Sequence, residues 1–421
     1  MFTRKDFLRT GSLGLLGLFV GQPDDVLAES YTEPALDANK SWDDIRALFD
    51  LDPERIFLNN GTMGPSPKPV IQAVHDRMVF VNKVGKYGGG EKKCRQALAS
   101  LVHADMDEIA MTHNVTEGIN IAAWGLPLKK GDEVILSTHE HVGNAGPWLN
   151  LRRLKGIRIK VVPLGKSAED TLRIIQKAVS KRTKVIAVPH IPCTIGQVLP
   201  VNELCAWARS KGIWTVVDGA HGTGMLKLDL QQMQCDVYVS CCHKWLLAPK
   251  GTAYLYVRKD FQHQLESLQT GGYSAEHWVL NEKEVYFKGL TESAHKYFYG
   301  TQSSPLYFGV TAAVEFQQSI GIERIEARVR ELNQQLLEGV KSIKGLDVLT
   351  PEEAASRGGV LSVKFRKKDN RAFFDACAAK QITIRYVGES ELDCVRISTH
   401  FYNSPAEVEQ IIREITDYAR S

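Results

Sequence analysis

The chain has almost no net charge for its size: 52 Lys and Arg against 49 Asp and Glu leave +3 over 421 residues. It has no run of basic residues and no basic stripe with interleaved aromatics, so nothing marks a nucleic-acid surface. It also has no internal repeat and no low-complexity block, which excludes solenoid and linker-dominated architectures. None of its eight cysteines forms a Cys-x-x-Cys pair or a Cys/His spacing suited to a metal. Spacings such as Cys193, Cys205 and Cys235 fit no compact disulfide framework. The hydrophobic fraction of 43% and charged fraction of 24% are those of an ordinary globular protein. The length predicts about two domains.

The N-terminus departs from this. Thr3 to Thr10 is charged, Leu13 to Val20 is apolar, and Val26-Leu27-Ala28 ends the segment on small residues. That order predicts a secretory signal over residues 1–28. The apolar run is too short and glycine-rich to span a bilayer comfortably, so no membrane span is expected in the mature form. Arg4-Lys5 resembles the pair of a twin-arginine signal. The resemblance implies export of the folded protein to the periplasm. A Sec signal or an uncleaved anchor stays open.

Further along, the N-terminal segment (29–79) opens with an irregular or helical lead-in over 29–55, followed by a short strand, Arg55 to Leu58, running into the turn Asn59-Asn60-Gly61-Thr62-Met63-Gly64. From 80 to 310, apolar strands alternate with helix-length segments. The strands are predicted at Glu108–Met111, Glu133–Leu136, Ile159–Val162, Val185–Val188, Trp214–Val217, Val237–Val239 and Ala253–Val257. This alternation predicts an α/β fold: a mostly parallel seven-stranded sheet with helices on both faces and its ligand at the carboxyl ends of the strands. Residues 311–421 predict a smaller α+β domain. A long helical run from Leu306 to about Ile343 leads into it, and strands follow at Gly359–Phe365, Ile382–Arg385 and Cys394–Ser398.

Two strand ends carry the chemistry. Trp214-Thr-Val-Val-Asp218 ends on an acid, and Val237-Tyr-Val-Ser-Cys-Cys-His-Lys244 ends on a lysine. Separately, the lysine reads as a surface residue and the acid as a helix cap. Together they suit pyridoxal 5'-phosphate (PLP): an amine to form a Schiff base, and a carboxylate to keep the pyridine nitrogen protonated.

Several further motifs follow in order, and with them the chain resembles the class V aminotransferase group of fold-type I PLP enzymes. That group includes isopenicillin N epimerase-like proteins and cysteine desulfurases. The resemblance runs from about Phe57 to the C-terminus. It implies a phosphate turn at Thr112 to Asn120, with Val115 and Thr116 at the anion. Read alone, Thr116 is a plain N-cap. It places His141 over the cofactor ring and Asp218 at the pyridinium. It also places His221 near the phenolate oxygen, where desulfurases carry a glutamine. Cys193 falls where many relatives have an asparagine, and Cys241 where desulfurases have a phosphate-binding serine. His243-Lys244 matches the family's His-Lys pair. Thr301, in Tyr299-Gly-Thr-Gln302, matches a segment that reaches the phosphate of a neighbouring subunit, which implies a homodimer. Arg396 matches the arginine that grips the substrate α-carboxylate, for which a planar guanidinium is well suited.

The reaction stays open among branches that share removal of the α-proton by Lys244. An epimerase-like or aminotransferase-like enzyme acting on an amino acid or short peptide comes first, with His141 as a possible second base. A C–S (β-elimination) lyase is the alternative, and a catalytically inactive exported binding protein is a third reading. Desulfurases carry a nucleophilic cysteine on a loop before the carboxylate-binding arginine. Here Arg385 to Asp393 is short and has no cysteine, which argues against a typical desulfurase. The segment Gly271 to Val279 is expected to be a variable specificity loop.

Overall fold

The structure, a computed structural model, describes residues 40–86 and 89–421. The expected signal segment, residues 1–28, lies outside the described residues. Among the described residues, chain order begins with the short helix Trp42–Arg46, the two-residue strand β1 (Ile56–Phe57) and the helix Lys68–Val84. Then come β2 (Ile109–Thr112), β3 (Glu133–Ser137), β4 (Arg158–Val162), β5 (Thr183–Pro189), β6 (Trp214–Asp218), β7 (Val237–Cys241) and β8 (Ala253–Val257).

These seven strands after β1 form one sheet in the order β2-β8-β7-β6-β5-β3-β4. All neighbours are parallel except β8, which runs antiparallel to both β2 and β7. This is the expected mostly parallel sheet. Its central strands are buried on both faces over most of their length, so Val216 packs into the core on one face and Val217 into the core on the other. Burial on both faces is why these strands read as continuous apolar runs rather than alternating ones.

A hairpin follows, β9 (Ala275–Leu280) and β10 (Val285–Leu290), paired antiparallel. It overlaps the segment expected to be a loop. The long helical run is two helices, Ser304–Ile320 and Ile322–Val340, broken at Gly321, which adopts φ +93°. A non-glycine residue is strained there.

The C-terminal sheet comprises β11 (Leu346–Val348), β12 (Val360–Phe365), β14 (Arg385–Val387) and β15 (Cys394–Ser398), in the order β11-β12-β15-β14. It packs against the helices Ile322–Val340 and Pro405–Arg420 around a third core containing Leu336, Leu361, Ile397 and Ile411. The remaining strand, β13 (Ile382–Thr383), pairs in parallel with β1. The bonds continue beyond that pair: Leu58 N–H donates to Thr383, Ser398 N–H to Leu58 at 2.7 Å, and Asn60 N–H to Ser398. The N-terminal segment is therefore stitched to the C-terminal sheet directly before the turn Asn59–Gly64. Among the described residues no helix is long and apolar enough to cross a membrane. All eight cysteines are buried and unpaired.

Candidate active site

The carboxyl ends of β6 and β7, the start of the helix Val115–Gly125 and the edge of the C-terminal sheet meet around one cavity of about 280 Å³. Every residue singled out from the sequence lines it except Thr301. Thr301 is exposed and lies outside the cavity of its own chain.

Asp218 ends β6. It is buried, and its Oδ1 accepts a 3.0 Å bond from the Ala220 backbone N–H. It is a strand-end acid, not a helix cap. Burial raises its pKa, opposed by that N–H and by the nearby Lys244 and His141.

Lys244 follows β7 on a tightly closed loop. Ala248 N–H donates to Cys242, and Cys242 N–H donates to Thr252. Leu247 takes φ +60° to make the bend, a conformation that costs roughly 1–2 kcal/mol in a residue with a side chain. From the other side the turn Asn59–Gly64 closes over the lysine. A Cβ on Gly64 would lie 2.2 Å from the Lys244 carbonyl oxygen, so only glycine fits. Lys244 Nζ sits 3.3 Å from His221 Nε2.

The helix Val115–Gly125 is capped by Asn114, whose side chain accepts from Glu117 N–H at 2.9 Å. Thr116 is therefore not the cap, and its hydroxyl is left at the cavity beside first-turn N–H groups. An added Cβ on Gly143 would stand 2.6 Å from Thr116 Oγ1 and 3.0 Å from His141 Nδ1. The bare glycine keeps this hollow open for an anion at a helix N-terminus.

His141 caps the helix Val142–Lys155 by accepting Gly143 N–H at Nδ1 (3.0 Å), so the neutral ring carries its proton on Nε2. Burial and then Lys244 lower its pKa, while Asp218 opposes. The adjacent Glu140 accepts from Ser137 and from Asn144 Nδ2, and burial of its carboxyl pushes it up to about 7. Cys241 lines the cavity with its thiol 3.5 Å from the Ala220 carbonyl. Ser240, on the opposite side of the strand, bonds the Gly219 carbonyl. His243 leaves its Nδ1 buried without a hydrogen-bond partner.

Arg396, on β15, is 1% exposed. Nη1 donates to the Cys193 carbonyl (3.0 Å), and Nη2 donates to Asn59 Oδ1 (2.9 Å) and Thr62 Oγ1 (2.7 Å). Its Nε has no partner. All these partners are neutral. Burial, then Arg385, lowers its pKa to about 10. A buried cation without a counter-ion is costly, and this one faces a cavity.

Three features were not read from the sequence as site features. Asn59 and Thr62 orient Arg396. Arg385, paired with Glu389, lines the same cavity. The Gly388–Asp393 loop is held by Ser390 Oγ donating to the Thr138 carbonyl at 2.7 Å. Cys394 is buried within β15, its thiol pushed up to about 12 mainly by burial.

The class V aminotransferase model matches residues 81–411. The chain belongs to the class V aminotransferase family. Isopenicillin N epimerase of Amycolatopsis lactamdurans is 28% identical over 398 residues, covering 90% of this chain and 99% of that relative. The Streptomyces clavuligerus epimerase is 29% identical over 391 residues, covering 88% and 96%. A probable cysteine desulfurase of Pyrococcus abyssi is 26% identical over 400 residues, covering 90% and 98%. Among solved structures, a C-DES mutant with glycine covalently linked to its PLP cofactor superposes with a TM-score of 0.82 at 24% identity, over 88% of this chain and 99% of that one. This likeness places the fold among fold-type I PLP enzymes. As a member of a PLP-dependent family, the chain has the residues to hold the cofactor: an amine at Lys244, a buried acid at Asp218 and an open anion hollow at Thr116 and Gly143.

Proposed function

We propose that this class V enzyme acts at the α-carbon of an amino acid or short peptide, in the manner of an epimerase or aminotransferase, with Lys244 as its Schiff-base lysine. The observation that carries the reading is Arg396: a buried guanidinium with only neutral partners, opening onto the cavity that Lys244 and Asp218 share. A substrate α-carboxylate is the anion that would complete it.

PLP, when bound, supplies an aldehyde and a ring that takes up the electron pair of a deprotonated α-carbon. Asp218 supplies the carboxylate for a protonated ring nitrogen. Thr116, with the first-turn N–H groups at Val115, serves a dianionic phosphate. His243 and Cys241 border the same space. Arg396 fixes the substrate's orientation, and the Lys244 amine, once free, removes the proton from Cα. In the epimerising version His141, whose neutral ring carries its proton on Nε2, is the acid that returns a proton to Cα on the face opposite Lys244.

The chain is about equally similar to epimerases and to probable cysteine desulfurases. The absence of a cysteine from Arg385 to Asp393 supports this branch over a desulfurase. Incubation with pooled amino acids in heavy water decides. α-Deuteration with racemisation supports epimerisation. Keto acid formation that needs an amino acceptor supports transamination. Pyruvate, ammonia and a thiol point to the C–S lyase instead, and alanine with persulfide to a desulfurase. Colourless protein that cannot be reconstituted with PLP would sink the proposal in favour of a binding protein.

A homodimer is part of the proposal. The hairpin β9–β10 exposes Trp278, Leu280, Val285 and Phe287, more apolar surface than a free arm in water favours. Thr301 would then serve the neighbouring subunit's phosphate. Export to the periplasm rests on residues 1–28 alone. Cell fractionation with and without that segment tests it.

A further inference from the structure

His221 is 2% exposed, and its two ring nitrogens have different surroundings. Nδ1 receives the indole N–H of Trp245 at 3.1 Å. Nε2 faces Lys244 Nζ at 3.3 Å across the cavity wall. An indole nitrogen only donates, so Nδ1 must present its lone pair, and a neutral ring then carries its proton on Nε2. The opposite tautomer would set two N–H groups against each other.

The indole has no freedom to yield. Its ring stacks on His400 with centroids 5.3 Å apart. A Cβ on Gly359 would lie 2.7 Å from it. Its backbone carbonyl is held by Gln317 Nε2 (2.6 Å) and His400 Nε2 (2.9 Å). The charged and titratable groups facing His221 are Lys244, Arg396, Arg385 and His141. Burial first, then the cations Lys244, Arg396 and Arg385, lower its pKa well below the ordinary value.

We infer that Trp245 is a positioning residue: it locks His221 as the Nε2–H tautomer, so that His221 offers the active site a fixed hydrogen-bond donor and no lone pair. Two consequences follow for the chemistry. The donor points at Lys244, whose unprotonated amine is the form that accepts such a bond and also the form that attacks a carbonyl. And His221 is no base, because Nε2 has nothing to accept a proton with; any second base in this cavity lies elsewhere. The inference builds on the proposed role of Lys244, but the tautomer is a property of the protein alone.

The test is nitrogen-15 NMR of ring-labelled histidine in the full-length protein, with and without PLP, the His221 signals being identified by their loss in His221→Gln. The expected result at neutral pH is a proton-bearing Nε2 and a bare Nδ1 in both forms. A proton on Nδ1, or on both nitrogens, overturns the inference. Trp245→Phe keeps an aromatic ring and removes the N–H. In that variant the two His221 nitrogen signals should move toward each other as both tautomers become populated, and the pH at which the PLP absorbance changes should shift. Unchanged nitrogen signals in the folded variant overturn the inference. If the variant does not fold, the native spectrum decides by itself. A protein that has the expected tautomer but binds no PLP would defeat the cofactor role of Lys244 and leave the Trp245–His221 lock standing.

Discussion

Arg385 and Arg396 are register partners on the antiparallel strands β14 and β15, and both line the active-site cavity. Like charges opposed across a strand pair repel. Glu389 pairs with Arg385, whereas no carboxylate bonds Arg396. Arg396→Gln is therefore expected to raise KM for the amino-acid substrate by roughly 100-fold, the loss of about 3 kcal/mol of charge-assisted bonding, with PLP binding retained. Arg385→Gln should cost less, about tenfold. Steady-state kinetics beside the PLP absorbance spectrum checks both.

Lys244→Ala should abolish the Schiff-base absorbance and lower turnover by about 10³-fold or more, since both covalent capture and proton removal are lost. Borohydride treatment followed by mass spectrometry should fix PLP on the native chain and not on the variant.

Asn114 and Thr116 separate stability from binding. Asn114→Ala removes the cap of the helix Val115–Gly125 and should cost about 1 kcal/mol by denaturant unfolding. Thr116→Val should leave stability nearly unchanged and weaken PLP affinity about tenfold, the size of one lost bond to a charged group. Equilibrium titration with PLP distinguishes them.

Glu140 gives a pH signature. Its folded-state pKa is about 7, raised from an ordinary value of 4.5 by burial. Its contribution to stability is complete below about pH 4.5 and lost as the pH climbs through 7, at most roughly 3 kcal/mol in all. Relative to Glu140→Gln, the native enzyme should lose stability over that interval. Parallel unfolding curves from pH 5 to 8 that stay a constant distance apart would contradict it.

Trp278 and Phe287 are partners across the hairpin. If the hairpin seals the proposed homodimer, replacing both with serine should shift the protein toward monomer in sedimentation experiments. If Thr301 serves a neighbouring subunit, PLP affinity should fall with it.

The sheet was legible because parallel strands buried on both faces leave apolar runs, and the chemistry sits where β6 and β7 stop. Asp218 and Lys244 could be read there for that reason. The break at Gly321 was missed because Phe316, Ile320, Ile325 and Val329 continue a buried apolar pattern through it. The hairpin was missed because its outward apolar side chains meet no core within the chain. Arg385 was read as a strand residue, but that it faces the cavity follows from its pairing with β15. Asn59 and Thr62 were read as a turn, and only the distant pairing of β1 with β13 brings them to Arg396. Thr301 came from family resemblance alone, and a single chain gives it nothing to touch in the site.

That β1–β13 seam has a mechanical corollary. The Asn59–Gly64 turn hangs from the same backbone ladder that carries β15, so Arg396 and its two side-chain supports travel as one piece. A rocking of the small domain against the large sheet would carry the carboxylate grip toward or away from Lys244 with its internal geometry intact, while straining the contact between Gly64 and the Lys244 loop.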